Sequence, residues 1–152
     1  MMTLDTIDRR ILALLQGDAT LSIADVAERV GLSQTPCWKR IKRLEAEGVI
    51  TDRVALLDRA KLGVGTTMFV SVRTSQHDED CLVQFAQAIR AIPEVTEFYR
   101  MSGDVDYLLK IVCRDIADYD RIYKEMIRAA RLSDVSSSFA MEQIKYTTEV
   151  PL

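Results

Sequence analysis

Apolar residues recur at helical spacing along the first thirty positions of the chain. In residues 4–16 they fall three or four positions apart, which predicts an amphipathic helix that ends at Gly17. In residues 23–30 the same spacing predicts a short second helix, with Ser22 as its N-cap and Gly31 directly behind its last apolar position. The sequence therefore opens with two short helices, each of which has one apolar face to bury.

A third predicted helix follows the second after a very tight turn. Only Leu32 separates Gly31 from Ser33, the next N-cap candidate, and Pro36 falls in the first helical turn, where a missing N–H costs little. This helix is predicted to run to about Glu47. Two helices joined by so short a glycine turn are typical of a helix-turn-helix, whose second helix enters the DNA major groove, although tight helix pairs also occur in bundles that bind nothing.

The third predicted helix has one apolar face and one basic face. At about 100° per residue, Cys37, Ile41 and Leu44 cluster on one side and predict its buried stripe. Residues 33–44 contain four Lys or Arg and no acid. Cations neutralise phosphates and bind guanine edges. We therefore predict a DNA-binding surface that consists of Ser33, Gln34, Thr35, Trp38, Lys39, Arg40, Lys42 and Arg43. The alternatives are a solvated helix face for the basic cluster and packing of Trp38 against the first helix.

After residue 48 the pattern is no longer helical. Residues 49–58 (VITDRVALLD) alternate imperfectly and are rich in β-branched side chains, so they predict a strand or a short hairpin wing. Residues 59–66 contain Gly63 and Gly65 and predict a linker. The two glycines are not a dinucleotide-binding fingerprint, because no third glycine follows and the next element is a strand.

The last ninety residues predict elements in the order β-α-β-β-α-β. The strands cover residues 66–73, 95–101, 106–113 and 135–146, and the helices cover residues 78–91 and 116–130. This order builds a ferredoxin-like sandwich, in which two helices lie on one face of an antiparallel sheet. The sequence thus predicts an α+β protein with a winged helix-turn-helix domain over residues 1–58, a linker over 59–66 and a ferredoxin-like domain over 67–152.

The other face of the predicted sheet has no cover within the chain. Apolar residues such as Phe69, Leu108 and Phe139 occur among the polar ones on these strands. An uncovered, partly apolar sheet face marks an association surface. We therefore expect a homodimer with two sheets packed face to face, which also suits the binding of two successive major grooves about 34 Å apart.

Charge and composition narrow the classes of function. The chain has 152 residues and a net charge of −3, which excludes a generally basic coat for nucleic acid. The first 61 residues hold 10 Lys/Arg against 9 Asp/Glu, and the remainder holds 10 against 14. The basic helix is therefore a local feature of the less acidic part. No apolar run approaches the roughly 20 residues that cross a bilayer, and the start has no signal-peptide core, so we expect a cytoplasmic protein without a membrane partner.

Catalytic and metal-binding residues are sparse. The three cysteines Cys37, Cys81 and Cys113 are widely spaced, and they are predicted to be free thiols. The single histidine, His77, would have to supply any His-based triad or multi-His metal site alone. We therefore expect no catalytic site, no metal and no cofactor.

The turn at Ser102–Asp106 (SGDVD) combines two carboxylates with free backbone amides. Such a turn is able to hold a zwitterion, with carboxylates on the ammonium and N–H groups on the carboxylate. A plain turn with solvated acids is the alternative. A catalytic acid pair is a third interpretation, but no nucleophile or metal-ligand set accompanies it.

Three segments of the sequence resemble a known family. LDTIDRRIL at residues 4–12, VGLSQTPCWKRIKRLEAEGVI at 30–50 and SGDVDYLLK at 102–110 are similar to the Lrp/AsnC family of bacterial transcription regulators. The resemblance implies a winged helix-turn-helix that binds double-stranded DNA and a ferredoxin-like domain for effector sensing and oligomerisation. It also implies that homodimers form through the sensor sheets and assemble further to an octamer.

The resemblance further implies a small effector, usually an amino acid, bound between sensor domains where dimers meet. Carried over to this sequence, the implied effector-binding residues are Met101, Ser102, Gly103, Asp104, Asp106, Ser138, Phe139 and Ala140. Val105 departs from the aromatic residue that the family has in this turn, which leaves the effector's size open. Met101 and Phe139 favour an apolar or sulfur-containing side chain.

The residues and the resemblance together predict a sequence-specific DNA-binding transcription regulator. An amino-acid-like effector would tune its assembly or its DNA affinity. The alternative is an amino-acid-binding allosteric subunit of a metabolic enzyme, because small ferredoxin-like modules also occur there. A purely structural assembly protein would leave the basic helix face unexplained.

Overall fold

The computed structural model describes residues 3–74, 79–129 and 132–152. The chain divides into two compact units. One holds the chain up to Leu56 together with Lys145–Leu152, and the other holds Leu57–Ile144. His77 and the side chain of Cys81, on which two sequence predictions fall, lie outside the described residues.

The first unit contains three helices: α1 (Thr6–Gly17), α2 (Ile23–Val30) and α3 (Gln34–Ala46). Capping boxes begin α1 and α2, at Asp5 with Asp8 and at Ser22 with Asp25. Gly31 lies in the left-handed region at φ 76°, and the N–H of Leu32 donates to the Ala27 carbonyl at 2.9 Å. This cap turns the chain directly from α2 into α3, as the sequence predicts.

The core of the first unit is formed by the apolar stripes of its three helices. It contains Ile11, Leu12, Leu15, Val26, Ala27, Val30, Cys37, Ile41 and Leu44. Cys37, Ile41 and Leu44 are each at most 1% exposed, which confirms the predicted buried stripe of α3. The opposite side of α3 is consequently left to solvent.

Residues 49–58 contradict the prediction of a strand or hairpin wing. All ten are described, and none is in a strand. Val54, Leu56 and Leu57 are more than 60% exposed. The alternation in this segment reflects only the β-propensity of its residues. A strand also needs a hydrogen-bonded neighbouring strand, which the described residues of this chain do not supply.

The second unit has the predicted β-α-β-β-α-β order. Its elements are β1 (Thr66–Thr74), α4 (Glu79–Arg90), β2 (Val95–Arg100), β3 (Tyr107–Cys113), α5 (Ile116–Ala129) and β4 (Leu132–Phe139). The sheet order is β2-β3-β1-β4, and every neighbouring pair is antiparallel. The α+β fold class, a helix-turn-helix followed by a ferredoxin-like sandwich, is therefore confirmed.

The core of the second unit lies between one face of the sheet and the two helices. Alternate residues of β1 and β3 point into it, and α4 and α5 cover them with Phe85, Ile89, Ile122 and Met126. The rings of Phe85, Phe98 and Tyr107 pack with centroids 5.2 to 5.9 Å apart. Phe69, Leu108 and Lys110 lie on the face that the helices do not cover.

Phe139 is not on the uncovered face, contrary to the prediction. Phe139 pairs with Met68, which is buried on the side of the sheet that the helices cover. Because paired residues lie on the same face, Phe139 is on the helix side as well. It is nevertheless 60% exposed, because it lies at the end of the strand. The predicted strand over 135–146 also ends earlier, at Phe139, and the Ala140 N–H makes one further bond to the Thr67 carbonyl at 2.8 Å.

The last eight residues belong to the first unit. The Gln16 side chain accepts a hydrogen bond from the Val150 N–H at 3.0 Å and donates one to the Val150 carbonyl at 3.1 Å. The sequence assigns these last eight residues to the sensor domain, which is predicted to cover residues 67–152. That domain assignment stays a prediction. No helix in the described part of the chain is both long and apolar enough to span a membrane.

Candidate functional site

The outer face of α3 holds most of the predicted DNA-binding residues. Ser33, Gln34, Thr35, Trp38, Lys39 and Lys42 are all exposed. Ser33 occupies the N-cap position but makes no capping hydrogen bond with its side chain. Trp38 is 47% exposed, so it is not packed fully against α1. The face combines a large aromatic side chain, hydroxyl and amide groups, and two lysines.

The two lysines of this face differ in their surroundings. Lys39 makes no ion pair with any described residue, whereas Lys42 pairs with Glu45 at 2.7 Å and remains 55% exposed. Arg53 also contacts Glu45, at 3.1 Å. Because an exposed pair of this kind contributes little energy, Lys42 can exchange Glu45 for another anion at small cost.

Arg40 and Arg43, unlike the two lysines, bind acids at the start of α1, although the Arg43 side chain stays 44% exposed. Arg40 Nη1 lies 2.8 Å from Asp8 Oδ1 and 2.6 Å from Asp5 Oδ2, and Arg43 Nη2 lies 2.6 Å from Asp8 Oδ2. The hydrogen bonds to Asp5 and Asp8 raise the pKa of Arg40 above its usual value. Sequence reasoning missed these partners, since they lie more than thirty residues away on α1.

The turn between β2 and β3 brings the first group of predicted effector-binding residues together. Met101, Ser102, Gly103 and Asp104 are exposed, and Gly103 has a φ of 111°. The Met101 N–H donates to the Asp106 carbonyl at 2.8 Å, which closes the turn. The turn therefore presents its backbone and the Asp104 carboxylate to solvent.

Asp106 has a structural partner that the sequence did not predict. Its carboxylate accepts hydrogen bonds from the Thr74 N–H at 2.7 Å and the Thr74 hydroxyl at 3.2 Å. Arg73 Nε donates to the Asp104 carbonyl at 2.6 Å, so a cation also lies at this turn. The strand register that places Thr74 and Arg73 here is not encoded in any local motif.

The second predicted group lies at the other end of the sheet. Phe139 pairs with Met68, whereas the Asp106 N–H bonds to the Val72 carbonyl, and these two points are four positions apart along β1. At about 3.3 Å per residue this is roughly 13 Å along the strand. A single chain therefore does not bring Ser138, Phe139 and Ala140 together with the turn at residues 101–106.

Comparison with known proteins finds two family profiles that match this chain. Residues 67–150 match the profile of the Lrp/AsnC ligand binding domain, and residues 4–51 match that of a winged helix-turn-helix DNA-binding domain. The first match alone spans more than half of the chain. The chain belongs to the Lrp/AsnC family.

Relatives of this Lrp/AsnC protein cover almost its whole length. The DNA-binding transcriptional activator DecR from Escherichia coli is 50% identical over 150 residues, which are 98% of this chain and 99% of DecR. The crystal structure of an AsnC family transcriptional regulator from Agrobacterium tumefaciens is 58% identical, with a TM-score of 0.94, and the match covers 97% of this chain and 96% of that one.

A second similar structure contains a ligand. The transcriptional regulator NMB0573 from Neisseria meningitidis, in complex with L-Met, is 33% identical, with a TM-score of 0.92 and coverage of 98% and 97% of the two chains. This Lrp/AsnC protein is thus a DNA-binding transcriptional regulator with a ligand-binding domain. The family and function predicted from the sequence are confirmed, and the alternative of an enzyme subunit is set aside.

Proposed function

We propose that the outer face of α3 makes the DNA contacts of this regulator. The observation that supports this most directly is the exposure of Lys39 and Lys42 on the side of α3 opposite Cys37, Ile41 and Leu44. The proposed contact residues are Ser33, Gln34, Thr35, Trp38, Lys39 and Lys42, with the lysines on phosphates or guanine edges. Arg40 and Arg43, whose guanidinium groups bind Asp8, are not among the proposed contact residues.

The experiment measures the salt dependence of DNA binding. A dimer with about 6–8 phosphate contacts shows a slope of roughly −5 to −7 for the logarithm of the binding constant against that of the salt concentration. Each lysine occurs twice in a dimer, so Lys39→Ala with Lys42→Ala should flatten the slope by about 3 to 4. The ligand is a duplex that the wild-type protein selects from a random-sequence pool.

The matched control is Lys61→Ala with Lys124→Ala, which removes the same charge from exposed positions of the second unit. This control should keep the wild-type slope. Unchanged affinity and unchanged slope in the α3 variant would contradict the proposed DNA-binding face.

We propose that the ligand of the second unit is a small amino acid. The turn at Ser102–Asp106 offers backbone amides and carboxylates suited to a zwitterion. The structurally similar Neisseria regulator is an L-Met complex. Because Ser138, Phe139 and Ala140 lie at the other end of the sheet, a site that includes both groups takes them from two different chains.

We propose further that the uncovered sheet face joins two copies of the chain. Phe69 and Tyr99 are 42% and 50% exposed on this face, and the Lys110–Glu97 ion pair lies between them. Burial of these rings against a second sheet would remove apolar surface from water. Assembly of four such dimers into an octamer, in the bacterial cytoplasm where the DNA lies, completes the proposal.

A further inference from the structure

Asp8 is the most deeply buried charged side chain that the structure describes in the first unit. Its side chain is 1% exposed, and it lies at the start of α1 in the motif LDTIDRRIL. A buried carboxylate is costly unless several donors compensate it. Asp8 closes the capping box of α1, but one backbone N–H donor does not compensate the burial of a whole charge.

Three donors surround the Asp8 carboxylate. Oδ1 accepts from Arg40 Nη1 at 2.8 Å, and Oδ2 accepts from Arg43 Nη2 at 2.6 Å and from the Asp5 N–H at 3.2 Å. Asp5 Oδ2 accepts a second bond from Arg40, at 2.6 Å. The N-terminus of α1 thereby holds two cations of α3, and we call this set the Asp8 clamp: Asp5, Asp8, Arg40 and Arg43.

The clamp constrains the rotation of α3 about its own axis. Arg40 and Arg43 are three residues apart and therefore lie on one side of the helix. While both guanidinium groups bind Asp8, the apolar stripe of α3 remains against the core and Lys39 remains on the outer face. Apolar packing alone tolerates small rotations that charge-assisted hydrogen bonds oppose.

The clamp also decides which cations are available to DNA. Arg43 is 44% exposed and binds Asp8 through Nη2, and if its guanidinium turned from Asp8 to a phosphate, the buried Asp8 carboxylate would lose one of its two charged donors. A phosphate contact at the solvent-exposed surface gains less than the loss of a donor to a buried carboxylate costs. Lys39 has no such restraint among the described residues.

We propose that Asp8 is a positioning residue for DNA recognition. It fixes the rotation of α3 and withholds Arg40 and Arg43 from the DNA phosphates, so that Lys39 and Lys42 make these contacts. The proposal rests on the DNA-binding face of α3 proposed above.

The test compares Arg43→Gln with Lys39→Gln, which make the same charge change on the same helix. Binding to the selected duplex is measured over a range of salt concentrations. Lys39→Gln should flatten the slope by about two per dimer, whereas Arg43→Gln should leave the slope unchanged and lower the thermal stability of the first unit. If Arg43→Gln flattens the slope as much as Lys39→Gln does, the proposal is wrong.

Asp8→Asn provides the reciprocal test. The released Arg43 should steepen the slope by up to about two per dimer, and the preference for the selected duplex over a random one should fall at least tenfold. Addition of Arg43→Gln should restore the wild-type slope. A wild-type slope and an unchanged preference in folded Asp8→Asn would overturn the proposal, and if this variant does not fold, the comparison of Arg43→Gln with Lys39→Gln decides alone.

These experiments distinguish an error in the role given to Asp8 from an error in the proposed DNA-binding face. If Arg43→Gln flattens the slope, the clamp does not withhold its arginines, while the DNA-binding face stands. If neither Lys39→Gln nor Arg43→Gln changes the slope, the DNA-binding face itself is wrong, and the role given to Asp8 falls with it.

Discussion

Two aspartates that the structure buries, Asp8 and Asp118, each lie between two arginines. In the second unit, Asp118 at the start of α5 accepts hydrogen bonds from Arg114 and Arg121, and Arg121 also binds Glu94. The Asp8 carboxylate connects the start of α1 to α3, whereas the Asp118 carboxylate binds arginines just before and within α5. The contribution of Asp118 depends on keeping its carboxylate ionised.

We predict that Asp118 makes the second unit sensitive to acid. Its hydrogen bonds from Arg114, and further bonds from Arg121, lower the pKa of Asp118 from an ordinary 3.8 to about 2. A lowered pKa contributes stability that is fully present above about pH 4 to 5 and is lost as the pH falls towards 2. Amide hydrogen exchange in β3 should therefore show a smaller loss of protection between pH 5 and 3 for Asp118→Asn than for the wild type.

The control is Asp120→Asn, on the same helix, where the carboxylate is exposed and pairs only with Lys124 among the described residues. This variant should keep the acid sensitivity of the wild type. Equal acid sensitivity of Asp118→Asn and the wild type would refute the role given to Asp118.

At the residue scale, the sequence predicts well which side of a helix is buried, but it predicts poorly which side chains pair with one another. Helical periodicity identified Cys37, Ile41 and Leu44 as buried, because burial follows from one local repeat. It did not reveal that Arg40 and Arg43 bind Asp8, because no local pattern identifies a counterion on another helix. Side-chain partners between distant helices depend on tertiary packing, which periodicity does not contain.

At the scale of elements, the turn between α2 and α3 shows what local signals determine. Gly31, with a φ of 76°, takes a conformation that residues with a Cβ rarely adopt, and its place in the sequence was enough to predict the turn. The segment at 49–58 and the end of β4 were predicted wrongly. Strands depend on a neighbour with the right register, and the alternation of side chains does not reveal whether one exists.

We predict that Gly31→Ala destabilises the first unit by about 1–2 kcal/mol. No atom lies within 4 Å of the added Cβ, so the cost is that of the left-handed backbone alone. Unfolding by urea, followed by the fluorescence of Trp38, which is the single tryptophan of the chain, reports on this unit.

Gly17→Ala is the matched control for Gly31→Ala. The Cβ at position 17 would meet only Glu149 Oε1, at an ordinary 3.6 Å, and the φ of Gly17 is not positive. This variant should be as stable as the wild type or slightly more stable. An equal loss in both variants would contradict the explanation from backbone conformation.

At the scale of the whole molecule, the order of the elements determines the fold of one chain but does not determine how chains assemble. The β-α-β-β-α-β order determined the sheet order β2-β3-β1-β4, because short connections leave few topologies. The family resemblance implies the residues of the proposed effector site and a position between sensor domains. The structure adds that one chain separates the two groups of residues by about half the length of β1. Contacts between chains are not encoded in any local pattern of one sequence.

We predict that effector binding depends on both Asp106 and the assembly. In a calorimetric screen of the twenty amino acids, Asp106→Ala should weaken binding of the effector about tenfold or more, since it removes a charged acceptor and the support of Thr74. Affinity for the selected duplex in the absence of effector should stay near that of the wild type. Mass measurement in solution should show dimers or larger assemblies.

The control for this screen is Asp120→Ala, which removes an exposed acid from α5. It should bind the effector as the wild type does. Undiminished binding by Asp106→Ala, or full affinity in a monomer, would contradict the effector site proposed here.

The hydrogen bonds between Gln16 and Val150 have a practical consequence for anyone who modifies this chain. A purification tag or fluorescent fusion attached behind Leu152 would be joined to the unit that contains the helix-turn-helix. Trimming the last eight residues would likewise strip two hydrogen bonds from α1 rather than shorten the ligand-binding sheet. A truncation based on the linear order of the domains would therefore damage the helix-turn-helix unit that it was meant to leave intact.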